Sequence, residues 1–352
     1  SGYYAIFENG INLRPRPVAA AKPEIAPHLL AMTATAAPLR AIARLVDLRA
    51  GEAGALAAAF LMFFCLLAGY TLLRPLRDAM GLIGGAAHLP WLFTATFLAM
   101  LALVPVFGRL SASLPPRRFV PLVYRFFALN LIGFSALVWL DLRAEWVARV
   151  FFVWISVYNL FVVSIFWSAL ADSFSPEQGR RLFGVVAAGG TAGTLAGPAA
   201  AALLAPAIGA VGLTLIAAAL LEAAALAYRH LIARAGGGEH PASRPLGGGA
   251  WGGLGAIARS PYLAAIVVYM LLHTTAATLI YFEQARIVAA YWSDTGERTR
   301  FFAIVDLAVS VLTLALQLLL TGRVIRRIGV GGALALLPLA ALGAFAALAV
   351  DP

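Results

Sequence analysis

The segment "YTLLRPLRDAMG", residues 70–81, carries the side chains whose types and spacing point most directly to chemistry: Tyr70, Arg74, Arg77 and Asp78. On a helix, spacings of three and four residues place all four on one face. Guanidinium groups offer forked donors that match a carboxylate or a phosphate. The pattern therefore predicts an anion site, in which the tyrosine and both arginines contact the substrate and the aspartate pairs with one arginine when no anion is bound.

Pro75 lies in the same turn, where it removes a backbone donor and leaves the Thr71 carbonyl without its helical partner. Irregular backbone at membrane depth is tolerated mainly where it lines a cavity or packs within protein. A simpler alternative is that the helix ends here and that both arginines extend to the lipid headgroups. The sequence leaves both interpretations open.

A second polar cluster, "HTTAATLIYFEQAR" at residues 273–286, contains Tyr281, Glu283 and Arg286. Charges in the middle of a bilayer are costly unless they are paired or hydrated. One interpretation places Tyr281 and Arg286 at the substrate and lets Glu283 carry a coupled proton. The other is a local ion pair between Glu283 and Arg286, which lie three residues apart.

Further polar residues lie singly in apolar stretches. Glu222 is the most isolated, so its carboxylate needs a partner from another helix. We expect Glu222, Arg125 and Asp306 to act as coupling or charge-pair residues and Asn159 as a substrate contact. Such residues also serve as interhelical hydrogen-bonding groups, and the sequence does not assign their partners.

Composition places these clusters in a membrane protein. Of the 352 residues, 62% are apolar and 12% are charged, which is more apolar surface than a water-soluble core can bury. The net charge of +10 suits membrane lipids and a small anionic solute as partners. A nucleic-acid partner is not expected, because no soluble basic domain is visible. With Cys65 as the single cysteine and scattered histidines, we expect no metal site and no cofactor.

Nine apolar runs approach the roughly 20 residues that a helix needs to cross a hydrocarbon core of about 30 Å. The predicted spans are 54–73, 90–107, 120–140, 147–171, 182–204, 208–228, 262–285, 301–320 and 330–350. The arginines concentrate in alternate loops, beginning with the segment before span one, so the N-terminus is predicted to be cytoplasmic.

Spans one and seven end alike, as do spans two and eight, which indicates a repeat of about six spans. The predicted parts are an N-terminal extension and cytoplasmic leader (1–52), mostly unstructured, a six-helix bundle (53–231), a glycine-rich cytoplasmic linker (232–258) and a partial second bundle (259–352). A complete second bundle would bring the total to twelve spans. We therefore expect the chain to be a fragment that lacks the last three.

Span five carries a stripe of small residues, Gly189, Gly193 and Gly197, followed by Pro198. Small residues at every fourth position let another helix approach closely. The stripe is therefore predicted to serve helix packing or gating.

The expected architecture, an all-α polytopic bundle with a short basic loop after span two and a long linker after span six, resembles the major facilitator superfamily. "GTLAGPAAAA", residues 193–202, is similar to the antiporter motif of that superfamily, with alanines at its final glycine pair. In the loop "GRLSASLPPRRF", Gly108, Arg117 and Arg118 match the superfamily's loop motif, whose aspartate is absent. The resemblance implies alternating access about a central site between two halves.

A closer resemblance rests on "YTLLRPLRDAMG", "LPWLFTATF", "PLVYRFFALN", "SIFWSALADSFSPEQGRRLFG" and "YFEQARIVAA". These segments are similar to bacterial relatives of the ATP/ADP antiporters, over roughly residues 53 to 350. The resemblance implies a nucleotide as substrate, with Arg74 and Arg77 facing its phosphates, and a bacterial inner membrane as location. The family's membrane lysines have no counterpart, because Lys22 is the only lysine.

The predicted function is secondary active transport of an organic anion by alternating access. The alternative is a membrane scaffold or sensor of the same fold whose buried charges are structural. An enzyme is not expected, because the sequence has no nucleophile elbow, metal-binding motif or phosphate loop.

Overall fold

The computed structural model describes residues 48–49, 51–234 and 259–350, and all regular structure in these ranges is helical. The helices are α1 (Ala53–Met80), α2 (Leu89–Ser113), α3 (Pro116–Trp139), α4 (Ala144–Ser173), α5 (Pro176–Arg234), α6 (Pro261–Tyr291), α7 (Thr295–Leu316) and α8 (Gly322–Val350). A 3-10 turn, Ala86–His88, precedes α2, and a π-helical turn, Gln317–Thr321, joins α7 to α8. The predicted N-terminal extension and most of the predicted linker lie outside the described residues.

Length and apolar composition identify the chain as a multi-pass membrane protein. In the described ranges, seven helices are long and apolar enough to cross a bilayer, and a shorter apolar stretch, Gly331–Ala340, lies within α8. The prediction of an all-α membrane helical bundle is confirmed at this level. The count of nine spans, the major-facilitator type and the division into two bundles stay predictions.

The 59-residue helix α5 contains both predicted spans five and six. Its course is interrupted at Gly209, whose φ of 58° and ψ of −163° are not helical. Only glycine adopts this region without strain, since it has no Cβ atom. The break divides α5 into two consecutive segments, and Gly329 interrupts α8 in the same way with a φ of 71°.

Helix α1 lies at the centre of the bundle. Of its most apolar window, 61% is buried, compared with 0% for the corresponding window of α6. It packs mainly along α5 and also contacts α4 and α7, while α3 packs on α5 and α4. The charged end of α1 is therefore enclosed by several helices.

The close packing of α1 and α5 depends on the predicted glycine stripe. A Cβ atom added at Gly193 would lie 2.6 Å from the Phe64 carbonyl oxygen, and one at Gly197 would lie 2.1 Å from Thr71 Oγ1. The Thr71 hydroxyl donates to the Leu67 carbonyl at 2.7 Å and approaches the Gly193 carbonyl at 3.3 Å. Any larger side chain at these two glycines would separate the helices.

At one end of the bundle, helices from both sides of residues 235–258 share an apolar core. We call this region the closed end; its buried residues are Ala79, Leu82, Leu89, Leu92, Phe152, Ala285, Val288 and Phe302. Within α6, only Ala285 and Val288 are buried. Helix α6 is thus held to the helices before residue 235 chiefly at the closed end.

Candidate functional site

The charged pair Arg77–Asp78 near the end of α1 is the most buried ionic contact in the described part of the chain. The helix runs through Pro75 to Met80, so both residues remain helical. Arg77 donates through Nε and Nη2 to Asp78 Oδ1, at 2.9 and 2.6 Å. The side chains are only 14% and 5% exposed. A buried pair needs such additional hydrogen bonds to offset the cost of desolvation.

Helix α4 supplies two further contacts to the Arg77 guanidinium. Its Nη1 donates to Ser156 Oγ at 3.3 Å, and its Cζ lies 4.9 Å from the centre of the Phe152 ring. The ring face attracts the cation, most strongly where water is excluded. Sequence reasoning missed both residues; their only signal was a serine one helical turn after Phe152 within an apolar run.

Asp78 also joins α1 to α6. The Tyr281 hydroxyl donates to Asp78 Oδ1 at 3.0 Å. The Tyr281 ring lies 5.4 Å from the Phe93 ring of α2, between centres. One carboxylate oxygen therefore accepts from a cation of its own helix and from a tyrosine of another.

Arg74 forms a second ionic contact near the end of α1, with Asp306 of α7. Arg74 Nε lies 3.6 Å from Asp306 Oδ2, and the side chains are 47% and 14% exposed. The Nη groups of Arg74 have no hydrogen-bond acceptor among the described residues. Arg74 thus holds its partner loosely, and its two Nη groups remain available as donors. We name Arg74, Arg77, Asp78, Tyr281 and Asp306 the charge cluster.

Aromatic side chains lie one helical turn before the charge cluster. The Tyr70 ring is 6.5 Å from the Tyr158 ring of α4, which stacks at 5.7 Å on Trp154. The buried Tyr158 hydroxyl has no hydrogen-bond partner in the described ranges. Asn159, the next residue, is half-buried, and no hydrogen bond joins it to the cluster.

Glu283 and Arg286 pair with each other on α6, as one of the two interpretations of that segment expected. Their side chains are 33% and 68% exposed. Arg286 is therefore directed to its own helix and takes no part in the contacts that hold Asp78 and Tyr281. Of the predicted substrate contacts on α6, Tyr281 alone belongs to the charge cluster.

Arg125 of α3 and Glu222 of α5 are partners, although they lie 97 residues apart in sequence. Arg125 donates to both carboxylate oxygens, with Nε at 3.0 and 3.2 Å and Nη2 at 2.6 Å. The two side chains are 46% and 40% exposed. The pair ties α3 to the second segment of α5, away from the charge cluster.

The predicted packing residues of α5 position the helix that carries Arg74, Arg77 and Asp78. Gly189, Gly193, Gly197 and Pro198 are buried in α5, where the stripe faces α1. Because Thr71 of α1 contacts this stripe one turn before Arg74 and Pro75, α5 determines where that end of α1 lies. The glycines thus position the charged residues without contacting them.

The composition of the charge cluster indicates its chemistry. Two guanidinium groups face two carboxylates and a tyrosine hydroxyl, and guanidinium groups are donors that match an anionic group. Among the residues that the structure describes, no group of three histidine, cysteine, aspartate or glutamate side chains is arranged to hold a metal ion. Comparison of the chain with protein-family models, with curated proteins and with solved structures finds no match.

Proposed function

We propose that this protein is a secondary active transporter that moves an organic anion by alternating access. The proposal rests mainly on the environment of Arg74. Its guanidinium is half-exposed, keeps both Nη groups without an acceptor in the described ranges, and lies within a membrane helix. A cation at that depth is retained at a cost, which favours a role in binding.

The anion would compete with Asp306 for Arg74. The ion pair is long, at 3.6 Å, so its replacement by a bidentate phosphate or carboxylate contact is favourable. Arg77 is already satisfied by three neighbouring groups. In this arrangement Arg74 binds the anion first, and Arg77 adds its charge to the site.

Two polar side-chain contacts connect the described helices before residue 235 with those after it: Tyr281 to Asp78, and Arg74 to Asp306. An anion that takes Arg74 from Asp306 removes one of them. A ligand shifts a conformational equilibrium only by binding one state better than the other. Because the anion displaces Asp306 from Arg74, it binds better to the state in which this contact is broken. Anion binding is thereby coupled to movement at the closed end.

The sequence resemblance to bacterial relatives of ATP/ADP antiporters supports a nucleotide as the anion. The phosphates of a nucleotide carry several charges, and Arg74 and Arg77 lie one turn apart on one helix face. A bacterial inner membrane and a cytoplasmic N-terminus follow from the same resemblance and from the arginine distribution. We propose no catalytic activity for the charge cluster.

The second candidate is a non-transporting membrane scaffold or sensor. The full set of partners around Arg77, and the local pairing of Arg286 with Glu283, are what a purely structural network would show. The free donors of Arg74 favour transport over this alternative.

Counterflow in proteoliposomes tests the proposal. The full-length protein is reconstituted into vesicles loaded with unlabelled ATP, ADP, a phosphate ester or a dicarboxylate, and uptake of the labelled solute is measured. We expect uptake of at least one anion, reduced about tenfold or more in Arg74→Gln. Arg300→Gln, which removes an exposed arginine outside the charge cluster, serves as the control. Absence of uptake for every anion, or unchanged uptake in Arg74→Gln, would contradict the proposal.

A further inference from the structure

A basic groove lies between α3 and the second segment of α5, separate from the charge cluster. Its cavity has a volume of about 530 Å³ and is lined by four arginines, Arg117, Arg118, Arg125 and Arg229. Arg117 and Arg118 belong to the first turn of α3, and Arg229 lies near the end of α5. These positions bring the ends of the two helices, and their cations, together.

The positive charge of the groove exceeds the negative charge that lines it within the described residues. Arg117, Arg118 and Arg229 are exposed. Glu222 lies close enough to Arg229 for their charges to attract, in addition to its ion pair with Arg125. Arg125 holds Glu222 through Nε and Nη2, which leaves its Nη1 without an acceptor in the described ranges. Four cations facing one carboxylate constitute a site that favours an anion.

An apolar cavity continues the groove along the same two helices. It has a volume of about 470 Å³ and shares Arg125 with the basic groove. Its walls include Leu129, Ile132 and Leu215, which are 67%, 47% and 46% exposed. Apolar side chains of this kind on a membrane helix face hydrocarbon chains.

The order of charged and apolar walls matches one class of molecule. Arg125 lies two turns into α3, roughly 12 Å along the axis from Arg117. The groove is therefore basic at the helix ends and apolar further along the span, which is how a phospholipid is arranged across its headgroup and chains. A free phosphate would occupy only the basic part, and basic pockets between membrane helices are known to hold anionic headgroups.

We propose that an anionic phospholipid binds lengthwise in this groove. Its phosphate contacts Arg117, Arg118 and Arg229, with the free Nη1 of Arg125 below. An acyl chain covers Leu129, Ile132 and Leu215. The lipid bridges α3 and the second segment of α5 in addition to the ion pair between Arg125 and Glu222, and it is independent of the transported anion.

Lipid binding in detergent tests the headgroup contacts. Native mass spectrometry of the full-length protein measures retention of phosphatidylglycerol and phosphatidylcholine, in the parent and in the triple variant Arg117→Gln, Arg118→Gln, Arg229→Gln. We expect phosphatidylglycerol affinity to fall on the order of a hundredfold for the triple variant. Each of the three arginines near the anionic headgroup contributes a similar factor to this loss of affinity. The matched control removes the same charge from exposed positions elsewhere: Arg300→Gln, Arg326→Gln, Arg327→Gln. Its phosphatidylglycerol affinity should fall less than about threefold. Equal retention of phosphatidylglycerol by the triple variant, or equal binding of phosphatidylcholine by the parent, would overturn the proposal.

The position of the lipid is tested on the unmodified protein, so this experiment remains valid even if the triple variant does not fold. Phosphatidylglycerol with a photoreactive group on one acyl chain is crosslinked, and the labelled peptides are mapped. Labelling at Leu129, Ile132 or Leu215 supports the site, and labelling confined to other helices contradicts it.

Competition with inorganic phosphate at millimolar concentration distinguishes a lipid headgroup from a free phosphate as the bound anion. Full displacement of the lipid by phosphate would identify a site for free anions and overturn the lipid assignment.

Discussion

Tyr281 and Asp78 lie 203 residues apart in the chain, yet the tyrosine hydroxyl donates to the aspartate at 3.0 Å. The same carboxylate oxygen, Oδ1, also accepts from Arg77 at 2.6 Å. A single atom therefore neutralises the buried cation of α1 and holds α6 to it. Substitution of Asp78 should show how much this contact contributes to stability. Substitution of Tyr281 should show how much it contributes to conformational exchange.

Asp78→Asn removes the charge that compensates Arg77. Breaking one side of a buried ion pair leaves the other charge unpaired and costs about 3–5 kcal/mol. We expect the thermal unfolding transition in detergent to fall by several degrees, measured by scanning fluorimetry. Glu145→Gln, which breaks the more exposed pair between Glu145 and Arg149, should change stability by less than about 1 kcal/mol. Equal effects of the two substitutions would show that the Arg77–Asp78 pair is not effectively buried.

Tyr281→Phe removes the hydroxyl and keeps the ring that packs on Phe93. A hydrogen bond to a charged group contributes about 1.5–3 kcal/mol, so the ratio of closed to open molecules should fall by about tenfold to a hundredfold. Spin labels at Ala87→Cys and Tyr291→Cys, in a Cys65→Ala background, report the separation of α6 from the closed end. We expect a larger fraction of long distances in Tyr281→Phe.

The control for this measurement is Tyr262→Phe, at the exposed beginning of α6. It removes a hydroxyl from the same helix without touching Asp78. The distance distribution of this variant should match that of the parent. If Tyr281→Phe also matches the parent, the hydrogen bond to Asp78 does not hold the closed end.

Asp306→Asn should tighten anion binding. The substitution removes the carboxylate that competes for Arg74, while the amide retains the shape of the side chain. Because Arg74 is half-exposed, the pair is weak, and we expect affinity to rise by roughly two- to fivefold. The shift of thermal stability with increasing nucleotide or dicarboxylate concentration measures this affinity.

Asp294→Asn on the same helix is the matched control for Asp306→Asn. Asp294 caps α7 by accepting from the Glu297 amide at 2.9 Å, and asparagine caps as well as aspartate does. Anion affinity should not change in this variant. Weaker anion binding in Asp306→Asn would instead show that the carboxylate itself helps to form the site.

Gly193→Ala should destabilise the protein through the contact of α5 with α1. The new Cβ atom would lie 2.6 Å from the Phe64 carbonyl oxygen, so backbone must move, at a cost of about 1–3 kcal/mol. Gly184→Ala on the same helix meets no atom within 4 Å and should stabilise by up to about 1 kcal/mol through helix propensity. Thermal unfolding of the two variants compares these effects directly. A stabilising Gly193→Ala would contradict the close packing of the two helices.

The sequence by itself determined the helices and their membrane character. Seven of the nine predicted spans lie within a described α-helix, whereas span three runs one residue past α3 and span eight extends from α7 into the π-helical turn. Apolar runs locate such helices because a backbone in lipid must satisfy its own hydrogen bonds. The number of spans stays a prediction, since α5 contains both span five and span six. Span ends were less accurate. The apolar run of span one stops at Leu73, whereas α1 continues through Pro75 to Met80. Packing within the bundle supports a helical turn that hydropathy alone does not indicate.

Only the tertiary structure decided which charges meet. From the sequence, Glu222 needed a partner from another helix, and Arg125 and Asp306 had none assigned; the structure pairs Arg125 with Glu222 and Arg74 with Asp306. It also gave Arg77 its contacts on α4, Phe152 and Ser156. Hydropathy and spacing define one face of one helix at a time, whereas an ion pair between helices depends on their rotation and height relative to each other. That geometry is set by packing such as the contact of Gly193 with α1, which involves residues more than a hundred positions apart.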